Sequence, residues 1–276
     1  MRSVNNHSTE VIWITGASSG IGEALVKRFA RRNISVAITA RNEEKLRALA
    51  LWCQNENQDQ EARADIRIFP CDVTEPLANE RIAKQIKEEF GNPITIFIPC
   101  AGTYRTSDSH QSFSAREHRE IMELNYFSLL DGIQAVLPDM LRTQRGQIIG
   151  VASLVGYFGL PRALGYSASK AAIINALQSL RFELRGTGVQ VKVINPGFVK
   201  TPLTDKNDFP MPFLVSAEEA AIRIEESLMN SRFETHFPRK LSLLFKIFRI
   251  LPQPLFEFLI SRLVYGSHGN ANQKEQ

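Results

Sequence analysis

The reading of the chain turns on Thr15-Gly16-Ala17-Ser18-Ser19-Gly20-Ile21-Gly22, which follows the apolar run Val11-Ile12-Trp13-Ile14 and precedes a segment of helical period over residues 21–30. The order is strand, tight turn, helix. Glycine is needed where the backbone must turn sharply and approach a ligand with no Cβ in the way. The first N–H groups of the new helix, together with its dipole, attract a pyrophosphate. Glycines of this kind also occur in turns with no ligand, but their placement between the first strand and the first helix favours a dinucleotide site.

Working outward, β-branched runs recur at residues 34–39, 66–69, 94–98, 147–151 and 189–194, with a weaker one at 232–237. The segments between them carry Leu, Ile and Ala at helical spacing. Strands that alternate with helices lie parallel because each helix is the crossover, and continuous apolar runs fit strands covered on both faces. The expected fold is α/β, a Rossmann-type doubly wound parallel sheet of about seven strands in a single domain. A (β/α)₈ barrel would need more such units than the chain offers. Residues 1–9 are expected to be a flexible N-terminus, 10–238 the dinucleotide-binding and catalytic domain, 239–265 an apolar helical extension, and 266–276 a flexible tail. The polar stretch 54–60 reads as a surface loop.

With 43% hydrophobic and 22% charged residues among 276, the chain is neither collagenous nor disordered. A net charge of +4 is small for a dedicated nucleic-acid binder, so no nucleic-acid partner is expected. The three cysteines, Cys53, Cys71 and Cys100, have neither metal-ligand spacing nor the density of a disulfide scaffold, which points to a reducing compartment. The N-terminus lacks the apolar stretch of a secretory signal, and no run approaches the roughly 18 apolar residues of a spanning helix. The expected location is cytoplasmic.

Four further strings stand in order after the glycine turn: Cys71-Asp72-Val73, Cys100-Ala101-Gly102, Tyr166-Ser167-Ala168-Ser169-Lys170 and Pro196-Gly197-Phe198-Val199-Lys200-Thr201. With the G-x-x-x-G-x-G spacing they make residues 10–237 resemble the short-chain dehydrogenase/reductase family in its form of about 250 residues, here with a C-terminal extension. One departure is Pro99-Cys100, where the family has two asparagines that mainly brace the sheet. The resemblance implies cofactor contacts from Gly16, Ser18, Ser19, Gly20, Ile21, Gly22, Asp72, Val73, Ala101, Gly102, Pro196, Gly197, Val199 and Thr201. It gives Asp72 the adenine, Val199 and Thr201 the nicotinamide carboxamide, and Lys170 the nicotinamide ribose. Asp72 also reads as an N-cap for a helix beginning near Glu75.

Cofactor preference rests on charge. A carboxylate closing the second strand would hold the ribose of NAD and repel the 2′-phosphate of NADP. Here the strand runs into Thr39-Ala40-Arg41-Asn42, and Arg41 offers phosphate a charged fork, so NADP(H) is expected over NAD(H).

Tyr166 and Lys170 are four residues apart on a helix expected over residues 164–184, so they share a face. An ammonium beside a phenol lowers its pKa and eases proton transfer, which is the effect expected of Lys170 on Tyr166. Ser153 follows the fifth strand at the end where open α/β sheets place their ligands, and its hydroxyl can polarise a substrate oxygen. Asn125 lies within a helix expected over 115–141, where an amide is mildly unfavourable. The resemblance has it anchor a proton-relay water to Lys170. The segment 202–211, polar and broken by prolines, reads as a mobile lid. Cys100 reads as a buried, inert thiol.

In residues 239–265 two helices split by Pro252 and Pro254 are expected, the first with a narrow polar stripe of Ser242, Lys246 and Arg249. Its remaining surface is more apolar than one packed face requires. Packing on the domain or a dimer mate, a lipophilic substrate funnel and a peripheral membrane contact all stay open. The expected function is an NADP(H)-dependent oxidoreductase reducing a ketone or aldehyde, or running the reverse, as a homodimer or homotetramer and without a metal. A dinucleotide-binding regulatory or membrane-associated scaffold without turnover is the alternative.

Overall fold

The structure is a computed structural model that describes residues 10–56, 64–106, 109, 112–205, 207 and 210–265. The expected flexible ends, 1–9 and 266–276, lie outside the described residues. Seven strands run β1 Ile12–Thr15, β2 Val36–Thr39, β3 Ile66–Ile68, β4 Ile96–Pro99, β5 Gly146–Val151, β6 Val189–Pro196 and β7 Glu234–Phe237. They form one parallel sheet in the order β3-β2-β1-β4-β5-β6-β7. The chain leaves β1 toward one edge through β2 and β3, then returns to add β4 on the other side of β1. The β1–β4 boundary is therefore the topological switch point, where the diverging crossovers open a crevice beyond the strand ends.

β1, β2 and β4 are buried at every position, so they read as continuous apolar runs rather than alternating ones. On one face pack α1 Gly20–Arg31, α2 Glu43–Glu56 and α7 Ala217–Leu228; on the other pack α3 Ala78–Phe90, α5 Ser128–Thr143 and α6 Leu164–Glu183. Arg28 of α1 pairs with Glu225 of α7, joining two helices distant in sequence. Trp13 lies at the centre of β1, fully buried against Phe97 at 4.8 Å between centroids, and donates from its indole to Thr39 Oγ1 at 2.9 Å. That bond satisfies the only polar group of a large apolar ring.

Local details differ from the sequence expectation. Residues 54–56 continue α2 instead of opening a loop, and 57–60 lie outside the described residues. α3 begins at Ala78, so Asp72 is not its N-cap; its carboxylate closes a local turn on Thr74. The helix expected over 115–141 is α4 Ala115–Met122, a π-helical turn Glu123–Phe127 and then α5. Among the described lid residues, 202–205 fold into a turn in which the N–H groups of Thr204 and Asp205 both donate to Thr201 O. Residues 206, 208 and 209 lie outside the described residues. The extension forms α8 Arg239–Ile250 and α9 Gln253–Tyr265. No described helix is long and apolar enough to cross a membrane.

Gly132, in the middle of α5, faces the Phe97 ring so closely that a Cβ there would overlap it. Helix propensity alone says that Gly132→Ala stabilises by about 1 kcal/mol. Overpacking costs about 1–3 kcal/mol and should win, so denaturant unfolding is expected to show a less stable protein. A stabilised Ala variant would mean that Phe97 does not need the space.

Candidate active site

At the end of β1 the backbone at Gly16 enters the left-handed region, φ +68°, and runs against the chain leaving β4. A Cβ at Gly16 would lie 2.5 Å from Ala101 N and 2.7 Å from its Cα, so no other residue fits without moving two strands apart. Gly20, φ +60°, opens α1 and leaves 3.1 Å between its ideal Cβ position and the Thr201 methyl. The preceding Ser19 makes no side-chain cap to α1, which leaves the first N–H groups of the helix turned toward the crevice. The glycines thus let the turn pack tightly against the chain leaving β4, which sets the start of α1 as a cradle for an anionic group.

The crevice is lined by Gly16, Ser18, Ser19, Gly20, Ile21, Gly22, Arg41, Asp72, Val73, Ala101, Gly102 and Thr201, all expected from the sequence. Ala40, Asn42, Cys71, Cys100, Leu124, Pro202 and Leu203 complete it. Pro196, Gly197 and Val199 are not part of that lining. Val199 is buried and bridges to Val215, while its carbonyl accepts from Thr204 Oγ1 at 2.6 Å. Of the added residues Asn42 had a readable signal: it precedes Glu43-Glu44 and caps α2, its Oδ1 accepting from Lys45 N at 2.9 Å. That cap fixes the turn from which Arg41 extends. Arg41 is 73% exposed and stands 3.7 Å from Asp72. Burial opposes ionisation of Asp72, yet hydrogen bonds from Thr74 and the Arg41 charge hold its carboxyl below the usual carboxylate range.

Deeper along the sheet, Ser153 follows β5 and α6 brings up Tyr166 and Lys170 one turn apart. Ser153 Oγ is hydrogen-bonded to the Tyr166 phenol, accepts from Val155 N at 3.3 Å and lies 3.3 Å from Pro196 O. Lys170 is buried, donates to Val151 O at 2.9 Å, and places Nζ 5.6 Å from the centre of the Tyr166 ring. The expected lowering of the tyrosine is not what the environment produces. Burial pushes the Tyr166 phenol up to about 12, against the Ser153 hydrogen bond, and the neighbouring Tyr104 adds to the rise. Burial likewise pushes Lys170 down to about 8. Desolvation disfavours the charged form of both groups and outweighs their proximity.

Asn125 sits in the π-helical turn, where the widened coil aims its amide inward. Its Oδ1 accepts from Thr103 N at 2.7 Å, and its Nδ2 donates to Thr103 O at 3.0 Å and to Ser169 Oγ at 2.9 Å. The side chain therefore ties the loop after β4 to α6 and makes no direct bond to Lys170. Tyr104, on that loop, meets the Tyr166 ring edge-on at 5.0 Å. The sequence offered no sign of it, because the contact joins segments with no shared period. Cys100 is half-buried and lines the crevice instead of being enclosed as expected, and desolvation raises its thiol to about 12.

A short chain dehydrogenase model matches residues 10–210. An oxidoreductase of Myxococcus xanthus is 35% identical over 252 residues, which are 91% of this chain and 96% of that protein. Two solved structures share the fold: a short-chain dehydrogenase from Burkholderia cenocepacia in complex with NADP has a TM-score of 0.76 at 24% identity, covering 92% of this chain and 98% of its own. One from Sphingobium yanoikuyae in complex with NADPH has a TM-score of 0.74 at 23% identity, covering 97% and 98%. A doubly wound sheet with a glycine turn at its switch point defines a dinucleotide-binding class of fold. Within it, this chain belongs to the short-chain dehydrogenase/reductase family.

The Lys170 environment has a consequence for pH. Its folded pKa, near 8, is below the ordinary 10.5, so between those values the unfolded state binds more protons and stability rises with pH. Below about 8 the penalty for charging Lys170 is fully present. Replacing it by Met is expected to flatten that rise: the stability of wild type relative to Lys170→Met should climb between pH 8 and 10.5 in denaturant titrations. Parallel profiles would show that the ammonium is not desolvated.

Proposed function

We propose that the chain moves a hydride between NADP(H) and the carbon of a ketone, aldehyde or alcohol, reducing the carbonyl or running the reverse. The observation that carries this reading is the Ser153 hydroxyl bonded to the Tyr166 phenol, with Lys170 standing between that ring and Gly102, which lines the crevice. The cradle fits a dinucleotide, because the crevice at the switch point is lined by the glycine turn and the uncapped start of α1, which suit a pyrophosphate. Gly16, Ser18, Ser19, Gly20, Ile21 and Gly22 would hold it there, with Asp72 and Val73 toward the adenine and Ala101, Gly102, Val199 and Thr201 toward the nicotinamide. When bound, the nicotinamide supplies or accepts the hydride.

The chain's own part is to orient the carbonyl and handle one proton. Ser153 donates to the substrate oxygen and so stabilises the negative charge that develops on it. Tyr166 gives that oxygen its proton. Held near 12, the phenol is protonated at neutral pH, the form that can donate to the oxygen in the reducing direction. Lys170 holds the ribose and supports the proton path, and Asn125 keeps the loop after β4 and α6 in register around both. A silent binding scaffold would need the cradle and Lys170 alone; the Ser153–Tyr166 pair serves no binding purpose that an apolar packing would not serve better.

Arg41 supports NADP(H) over NAD(H). It stands at the end of β2 where a ribose 2′-phosphate would lie, and its partner Asp72 is itself bound to Thr74. The family resemblance adds a small-molecule substrate, a homodimeric or homotetrameric assembly and a cytoplasmic location to this reading.

Two measurements bear on it. Tyr166→Phe should lower NADPH-dependent carbonyl turnover by about 10²-fold or more while cofactor affinity changes little, as removal of a general acid does. A fully active Phe variant would sink the assigned chemistry. Arg41→Asp should narrow or reverse the ratio of NADPH to NADH affinity measured by fluorescence titration, and an unchanged ratio would place phosphate recognition elsewhere.

A further inference from the structure

The extension is amphipathic in an inverted sense. Two of the three polar residues of the α8 stripe turn inward, while Arg249 is exposed: Ser242 is fully buried, with Oγ 2.7 Å from His236 Nδ1 and donating to Arg239 O, and Lys246 donates to Glu234 Oε2 at 2.9 Å. Glu234 is also held by Asn195 Nδ2 at 2.8 Å and by the Tyr157 hydroxyl. Leu241 and Phe248 are buried on the same side, and Phe158 stacks on Phe245 and meets Phe256, which folds α9 back against α8. With Ser242 and Lys246 spent on the sheet edge, α8 presents apolar side chains to solvent. Ile250 is 80% exposed and Leu243 61%, with Leu244, Ile247, Leu255 and Phe258 also exposed. Contiguous apolar faces of this kind mark contact surfaces.

The charges around the face select its partner. Arg239, Lys240 and Arg262 are exposed on α8 and α9, against one exposed carboxylate, Glu257, which accepts from Gln253. A second copy seated symmetrically would bring the same cations of both chains together, which disfavours self-association. Apolar side chains bordered by cations instead match a bilayer that carries anionic headgroups, with leucine and isoleucine in the acyl boundary and arginine and lysine among the phosphates. Both helices are too short to span, so they lie in the interface plane.

We infer that α8 and α9 form a docking face for an anionic phospholipid bilayer, on which this protein sits peripherally. The face is separate from the crevice and the inference does not depend on the reaction proposed above.

The test is sedimentation of the full-length protein with vesicles of phosphatidylcholine alone and of phosphatidylcholine mixed with phosphatidylglycerol, at low and high salt. Binding is expected only to the mixed vesicles and should weaken as salt screens the cations. Arg239→Gln with Lys240→Gln should lower partitioning by roughly 30-fold, the weight of two cations at an anionic surface. Leu243→Asp with Ile247→Asp should abolish it. Retained NADPH binding would show that each variant is folded, since all four side chains are exposed and outside the crevice. Absence of wild-type binding to mixed vesicles, or binding that survives the Leu243 and Ile247 changes, would overturn the inference. So would a solution mass above the monomer's that falls when the same two residues are changed, because that would assign the face to a second copy.

Discussion

The close approach of the backbone at Gly16 to Cys100 and Ala101 is the constraint on which the site depends. At that point β1 has ended, the chain has turned left-handed, and the strand beside it has also just ended, so two backbones pass where a side chain would not fit. Two consequences follow together. The start of α1 is drawn over the carboxyl ends of the strands with its first N–H groups toward the crevice. The loop after β4 is also held low enough that Gly102 and Thr103 reach Asn125, which in turn reaches α6 through Ser169. One contact between two loops therefore couples the cradle on one side of the sheet to the Tyr166 helix on the other. A methyl group at position 16 would disturb both, even though it lies in neither the phenol nor the helix that carries it.

The second half of the site is governed by desolvation. Tyr166 and Lys170 were expected to interact as ion and phenol, but each is driven toward its neutral form because burial weighs more than their separation across the ring. The same preference recurs at Lys192, buried beneath the end of α7 and bonded to Ser227 O and Gln147 Oε1, whose pKa also falls to about 8. Lys170 and Lys192 are each buried against specific acceptors, and their charge state follows from that burial.

Strand positions were legible in the sequence because a parallel sheet covered on both faces leaves unbroken apolar runs, as in Ile12 to Thr15 and Val36 to Thr39. The alternation of strands and helices made the doubly wound parallel sheet legible, while the pairing of β4 with β1 is a tertiary choice that alternation does not state. Features set by tertiary contact were not legible. The π-helical turn at Asn125 has no signature in period, the edge-on contact of Tyr104 with Tyr166 joins residues far apart in the chain, and the sign of the tyrosine shift depends on how deeply α6 is packed. On α8 the polar stripe was readable but its direction was not, since Ser242 and Lys246 find their partners on β7. A helix pattern fixes which residues share a face and leaves open which face the protein keeps.

The central claim is that the crevice and the Ser153–Tyr166 pair serve one reaction, a hydride transfer to a carbonyl carbon. It is tested most directly by incubating the protein with NADPH deuterated at the reactive carbon of the nicotinamide and a panel of ketones and aldehydes, and reading the products by mass spectrometry. The account predicts an alcohol carrying deuterium on the former carbonyl carbon, formed from one face of the ring only. Tight NADPH binding with no deuterium in any product, from an enzyme shown to be folded, would contradict it.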